Sequence, residues 1–421
     1  MRYRQVDFNE NISNLEAIKS IKREEIPVII FGAGIVAEVL FHACRSAGIM
    51  VECFCDNNFH KTLSPKCNIE VVHTSNLKKK YKDANIIISA ADMKDVVEQL
   101  RLLGYSKWHA GNLLLRDFDV SRYQFSAPEE FVGFAIGACI LCHDSYLNPD
   151  KLFLRSVDII ITERCSLKCR DCSNLMQYYE KPKDCDIEEI IQSIDVLCAY
   201  VDEVHEFRVI GGEPFMNKEI NLIIKRLIDE SKIKKIAIYT NGTIIPKESQ
   251  VEFLKNSKVI LFITDYGRLS RKRDALIQML QRHKINFYLQ KGQGWTDCSD
   301  IKKHNRNAEE QGEIFNSCCA KNTVTLSNGE LHRCPFSANA ARLSAVPDVE
   351  DDYINISEET HKATDNHEMK KKIRAFLLEK KFLETCDYCN GRTFGAPEIP
   401  AAVQTDKPLE YVRYSTIKQM S

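Results

Sequence analysis

No stretch of the chain reaches the ~18 consecutive apolar residues that a membrane-spanning helix requires, and the first ten residues, MRYRQVDFNE, lack the apolar core of a secretory signal. Nor does one sign of charge dominate. Lys plus Arg number 58 and Asp plus Glu 59, a formal net charge of -1, which excludes the broad basic field that draws nucleic acid or anionic lipid. The runs Lys78-Lys79-Lys80 and Lys370-Lys371-Lys372 therefore read as solvated helix faces. Internal repeats and low-complexity segments are missing too. The expectation is a soluble cytoplasmic protein, acting on neither membrane nor nucleic acid. Its 421 residues, 44% hydrophobic, are enough for two or three cores.

Cysteine, by contrast, is abundant. Seventeen thiols without a secretory signal argue against a disulfide framework in a reducing compartment and leave metal ligation, catalysis or burial. The chain around them falls into segments. PVIIF (27–31) reads as a buried strand running into GAGIVAEVLFHACRSAG, a glycine turn and an amphipathic helix ending at Gly48. MVECFC leads to Asp56, and further apolar segments alternate with helical patterns, so residues 1–120 read as a Rossmann-like parallel α/β unit. Residues 121–155 read as a linker. From SVDIIITE the rhythm restarts, and residues 156–303 hold five or six β/α units suited to an open or partial barrel. Residues 304–395 carry short strands and paired cysteines, a small cluster-binding domain, and 396–421 read as a loosely attached tail.

ITERCSLKCRDC places Cys165, Cys169 and Cys172 in CxxxCxxC spacing directly after the first strand of the middle segment. A loop at a strand's carboxyl end can turn three thiolates onto one cluster, and at this cysteine frequency chance would produce the pattern only about 0.03 times. Three ligands leave one iron an open coordination position. The alternative is structural zinc with a fourth ligand such as Cys185, although such zinc prefers two paired knuckles. One β/α unit later HEFRVIGGEPFM supplies Gly211, Gly212, Glu213 and Pro214, and IAIYTNGT ends the next strand with Thr240 and Asn241.

Together these elements resemble the radical S-adenosylmethionine (SAM) superfamily over roughly residues 156–395. The resemblance implies a partial (β/α)6 barrel and a [4Fe-4S] cluster on Cys165, Cys169 and Cys172, whose open iron chelates the amine and carboxylate of SAM. Gly211, Gly212, Glu213 and Pro214 then approach the methionine moiety, and Thr240 and Asn241 its ribose or carboxylate. Reductive cleavage would yield methionine and a 5′-deoxyadenosyl radical that takes hydrogen from substrate, with electrons from a flavodoxin- or ferredoxin-type reductant. Asp171 stands where the family often has an aromatic residue before the third cysteine, so an adenine contact there must differ.

A second cysteine set lies downstream: Cys319, Gly329 and Cys334 in C-x9-G-x4-C spacing, then Cys386 and Cys389 as CxxC. It resembles the twitch domain, the shorter relative of SPASM domains, which implies an auxiliary [4Fe-4S] cluster on Cys319, Cys334, Cys386 and Cys389. Cys318 could replace Cys319, and a four-cysteine zinc ribbon is the competing assignment. At the other end FGAGIVAEV is a GxGxxA variant of the dinucleotide fingerprint, with Gly32 and Gly34 in the turn and Asp56 placed to meet a ribose hydroxyl. It resembles the nucleotide-binding units of some sugar acyltransferases and surface-glycan enzymes. Asp265, ending the fourth barrel strand, is a candidate proton acceptor or a helix cap. Trp295 is a cavity wall or a packing anchor.

These residues lead to an expected radical SAM oxidoreductase for a small polar substrate, such as a nucleotide-activated or phosphorylated sugar. A radical SAM peptide-modifying enzyme and a nonenzymatic zinc or redox-sensing scaffold are the alternatives.

Overall fold

The computed structural model describes residues 14–23, 25–321, 323–357, 366–393 and 396–414. They form two compact units divided after Phe153. In the first, the short apolar runs of the sequence become strands β1 (Val28–Phe31), β2 (Val51–Asp56), β3 (Val71–His73), β4 (Asn85–Ile88) and β5 (Trp108–Ala110), in the order β3-β2-β1-β4-β5. Neighbouring strands pair parallel throughout this sheet, which requires crossover connections. Both faces are covered, so β1 and β4 are buried at every position rather than alternating. The stretch expected as a linker contains the helix Glu129–Leu147, and that helix packs into the first unit. Val132 and Cys139 join its core, and the helix is apolar around much of its circumference, which hides a 3.6-residue period from the sequence.

The second unit is built on strands β6 (Phe153–Thr162), β7 (Glu203–Gly211), β8 (Ile233–Thr240), β9 (Val259–Asp265) and β10 (Phe287–Lys291). They lie side by side in sequence order, and the helices Ile187–Tyr200, Ile220–Asp229, Glu248–Leu254 and Arg273–Arg282 connect them. A local signal starts the first of these helices, where the Asp186 carboxylate accepts from Glu189 N at 3.0 Å. This mixed α/β layout with parallel strands is that of a partial barrel.

Strands β11 (Trp295–Thr296), β12 (Val324–Ser327), β13 (Glu330–His332), β14 (Tyr353–Asn355) and β15 (Glu398–Ile399) follow. β12 pairs parallel to β6, so the C-terminal hairpin extends the barrel's own sheet in the order β10-β9-β8-β7-β6-β12-β13-β14. β11 pairs antiparallel with β15. The residues expected as a loose tail are anchored: Leu409 N donates to the Gln177 carbonyl at 2.9 Å and Tyr414 N to that of Ser344 at 2.8 Å. Residues 415–421 lie outside the described residues. No helix among the described residues is long and apolar enough to cross a membrane.

Candidate cluster and cofactor site

The cysteine loop begins where β6 ends. Thr162 Oγ1 donates to Asp184 at 2.6 Å, Arg164 N donates to Thr162 Oγ1 at 3.1 Å, and the Arg164 guanidinium pairs with Asp184 at 3.0 Å. All seventeen cysteines are free thiols. Those of Cys165, Cys169 and Cys172 pack with Leu167, Tyr266, Leu269, Trp295 and Ala402. Burial raises all three pKa values, and Cys172 pushes Cys165 and Cys169 further, with Cys169 reaching about 11. Three converging thiols that cannot ionise unaided fit a cationic cluster, whose charge would offset burial and draw off the protons.

The GGEP turn is pressed against that loop. Gly212 N donates to the Thr162 carbonyl at 2.9 Å and Glu213 N to the Arg164 carbonyl at 2.8 Å. Gly211, at φ +133°, and Gly212 are required by this approach: a β-carbon would stand 2.2 Å from Thr162 O or 2.1 Å from Arg164 O. The glycines thus admit the protein's own loop. Glu213 is fully buried and accepts from Thr240 Oγ1 at 2.9 Å, Asn241 N at 2.9 Å and Phe215 N at 3.4 Å. Burial raises its pKa to about 7 against these three hydrogen bonds. Pro214 opens the short turn that follows. Asn241 Nδ2 lies 3.7 Å from Cys165 Sγ, so β6, β7 and β8 deliver the cysteines, the carboxylate and the Asn–Gly turn to one place.

In the hairpin segment, Cys334 caps the helix Pro335–Arg342, its sulfur accepting from Ser337 N at 3.4 Å. Burial pushes its pKa well up, and the thiols of Cys386, Cys389 and Cys318 push it further. Cys386 rises to about 12 and Cys389 to about 11, each through burial first and with Cys318 as a further neighbour. Cys318 Sγ accepts from Ala320 N at 3.4 Å, whereas Cys319, favoured by hairpin spacing, is exposed. Among the described residues no three His, Cys, Asp or Glu side chains are grouped to hold a single metal ion.

Other candidates have structural partners. Asp265 accepts from Gly267 N at 2.8 Å and pairs with Arg273, as a turn cap does. Asp56 accepts from Ala33 N and Asn58 N, both at 2.8 Å, and pairs with Lys61 at 3.0 Å. Gly32, at φ +107°, is required because a β-carbon would meet Ser89 Oγ at 2.2 Å, while one on Gly34 meets nothing within 4 Å. Trp295 packs edge-on against Tyr266 beside the cysteine loop.

Sequence reasoning missed the polar strip across β6–β9. Asp158 pairs with Arg208, which lies over the Tyr239 ring at 5.7 Å, and Tyr239 stacks on Phe262 at 4.8 Å. By strand alternation this strip shares a face opposite Ile159, Val209, Ile238 and Leu261. Charged residues inside otherwise apolar strands were the available signal. Gln404, which donates to Cys169 Sγ at 3.4 Å, had none.

Residues 159–265 match the model of the radical SAM superfamily, whose enzymes use a [4Fe-4S] cluster and SAM. Among curated proteins the chain is similar to GTP 3',8-cyclase 2 of Pseudomonas aeruginosa, 28% identical over 34% of this chain and 48% of that protein. It is also similar to GTP 3',8-cyclase of Clostridium acetobutylicum, 29% identical over 33% and 49%. The chain thus spans about half the length of the curated relatives it matches. Among solved structures it is similar to BtrN in complex with AdoMet and 2-DOIA, at 17% identity and a TM-score of 0.37, covering 62% of this chain and 99% of that one.

Proposed function

We propose that this chain is a radical SAM oxidoreductase that takes hydrogen from a small polar substrate. The observation that carries the reading is Glu213, buried beneath the cysteine loop and held by Thr240 and Asn241. A carboxylate that burial holds near neutrality gains most from a cationic partner, and the ammonium of SAM is one. Cys165, Cys169 and Cys172 would hold the SAM-binding cluster. Bound together, cluster and SAM supply an oxidant able to remove a hydrogen atom from carbon. The residues of this chain orient them and exclude water: Gly211 and Gly212 seat the loop, Glu213 takes the ammonium, and Tyr266, Leu269 and Trp295 enclose the sulfurs.

A polar substrate is supported by the strip of Asp158, Arg208 and Tyr239, where Asp158 Oδ2 is buried with no hydrogen-bond partner among the described residues. The nucleotide-sugar form of this reading draws support from the open approach at Gly34 and none from Asp56, whose carboxylate is bonded to the glycine turn itself. Cys334, Cys386 and Cys389 with Cys318 form the ligand set we assign to an auxiliary [4Fe-4S] cluster, an electron acceptor or relay, while a flavodoxin- or ferredoxin-type protein would supply the electron for SAM cleavage.

The test is anaerobic reconstitution with iron and sulfide, then SAM and dithionite, with 5′-deoxyadenosine followed by chromatography. The wild type should form it, and the triple variant Cys165→Ala, Cys169→Ala, Cys172→Ala should not. Equal formation by both would overturn the assignment.

A further inference from the structure

Residues 402–405 run antiparallel to the centre of the cysteine loop. Arg170 N donates to the Val403 carbonyl and Thr405 N to the Lys168 carbonyl, both at 2.7 Å, so the strap brackets Cys169 on each side. Ala402 is buried against Leu167 and Cys169. Between these anchors the Gln404 amide is held by its own acceptor: Lys168 N donates to Oε1 at 2.9 Å. This leaves Nε2 to donate to Cys169 Sγ at 3.4 Å and to the Ala402 carbonyl at 2.8 Å.

We propose that Gln404 is a positioning residue that sets the reduction potential of the cluster on Cys165, Cys169 and Cys172, an inference that rests on the ligand role read for those cysteines. Reduction adds one electron, and part of its charge falls on the sulfurs. An N–H dipole aimed at sulfur stabilises the reduced form more than the oxidised one and raises the potential. The strap also displaces water from the loop, which favours the less charged form and acts in the opposite direction. The two effects are separable because different atoms of the side chain carry them: Oε1 fixes the strap's register on Lys168, and Nε2 touches the sulfur.

Gln404→Glu keeps an acceptor for Lys168 N and removes the donor to sulfur. Gln404→Leu removes both. Each reconstituted full-length protein is titrated with dithionite at pH 8, and the reduced cluster is followed by the EPR signal that changes when SAM is added. Iron content is measured alongside. With iron content retained, the midpoint should move negative in Gln404→Glu, where a carboxylate replaces the donor, and less so in Gln404→Leu. Midpoints equal to that of the wild type in both variants would overturn the proposal and leave the strap a packing element. A wild type with no SAM-responsive signal would overturn the ligand assignment instead, so the two failures are distinguishable.

Discussion

A β-carbon added to Gly212 would stand 2.1 Å from the carbonyl oxygen of Arg164, the residue that enters the cysteine loop. The obstacle is backbone, which cannot swing aside as a side chain does. Gly212→Ala should therefore displace the loop and reduce reconstituted SAM-binding cluster by tenfold or more. Iron content and the SAM-responsive EPR signal measure it; wild-type values in a folded variant would show that the turn has slack.

Glu213 makes SAM binding and stability depend on pH in opposite senses. Its pKa in the folded chain is about 7, above the 4.5 of an ordinary glutamate, so the folded state holds the proton more tightly than the unfolded one. The stability this confers is complete below about pH 4.5 and is lost as pH rises through about 7. Against the permanently neutral Glu213→Gln, the wild type should lose up to about 3 kcal/mol of relative stability across that window. Thermal melts at pH 5 and pH 8 read this; a difference that stays constant would refute it. SAM affinity should rise over the same interval as the carboxylate ionises, and Glu213→Ala should weaken it by ~1.5–3 kcal/mol in calorimetry.

The auxiliary ligand set is tested by two single variants. Cys318→Ala should reduce iron from about eight per chain to about four, while Cys319→Ala, at the exposed neighbour, should leave it near eight. The reverse pattern would return the role to Cys319, and stoichiometric zinc would remove the cluster from this site.

Glu163 and Arg342 form a buried ion pair at 2.7 Å, with side chains 7% and 8% exposed, joining the mouth of the barrel to the helix Pro335–Arg342. Arg342→Met should leave Glu163 buried and uncompensated, at a cost of about 3–5 kcal/mol. Chemical denaturation checks this, and a loss under about 1 kcal/mol would mean that water reaches the pair.

The strip at Asp158 and Arg208 should influence substrate rather than SAM. Arg208→Met should suppress substrate-stimulated 5′-deoxyadenosine at least tenfold while uncoupled SAM cleavage persists. Parallel losses of both activities would show that the strip supports the barrel as a whole.

The sequence by itself determined what short-range chemistry controls. The three cysteines span eight residues, so their spacing and the strand before them place them on one loop; the GGEP and Asn–Gly turns follow from residues that tolerate positive φ or close approach. Most strands of both units were legible as largely apolar runs bounded by turns, whereas β5, only three residues long and containing His109, was not. Only the tertiary structure decided which of two adjacent cysteines turns inward, since chain direction at Cys318 and Cys319 depends on the helix before them and the Cys386–Cys389 knuckle beyond. The role of Asp56 was hidden for a similar reason: an acidic residue at a strand end looks the same whether it awaits a ribose or bonds Ala33 N. The hydrogen bond from Gln404 to Cys169 joins positions 235 residues apart, and no local pattern encodes it. It exists because the folded barrel brings the strap across the loop, where an unpaired edge of backbone was left to be satisfied.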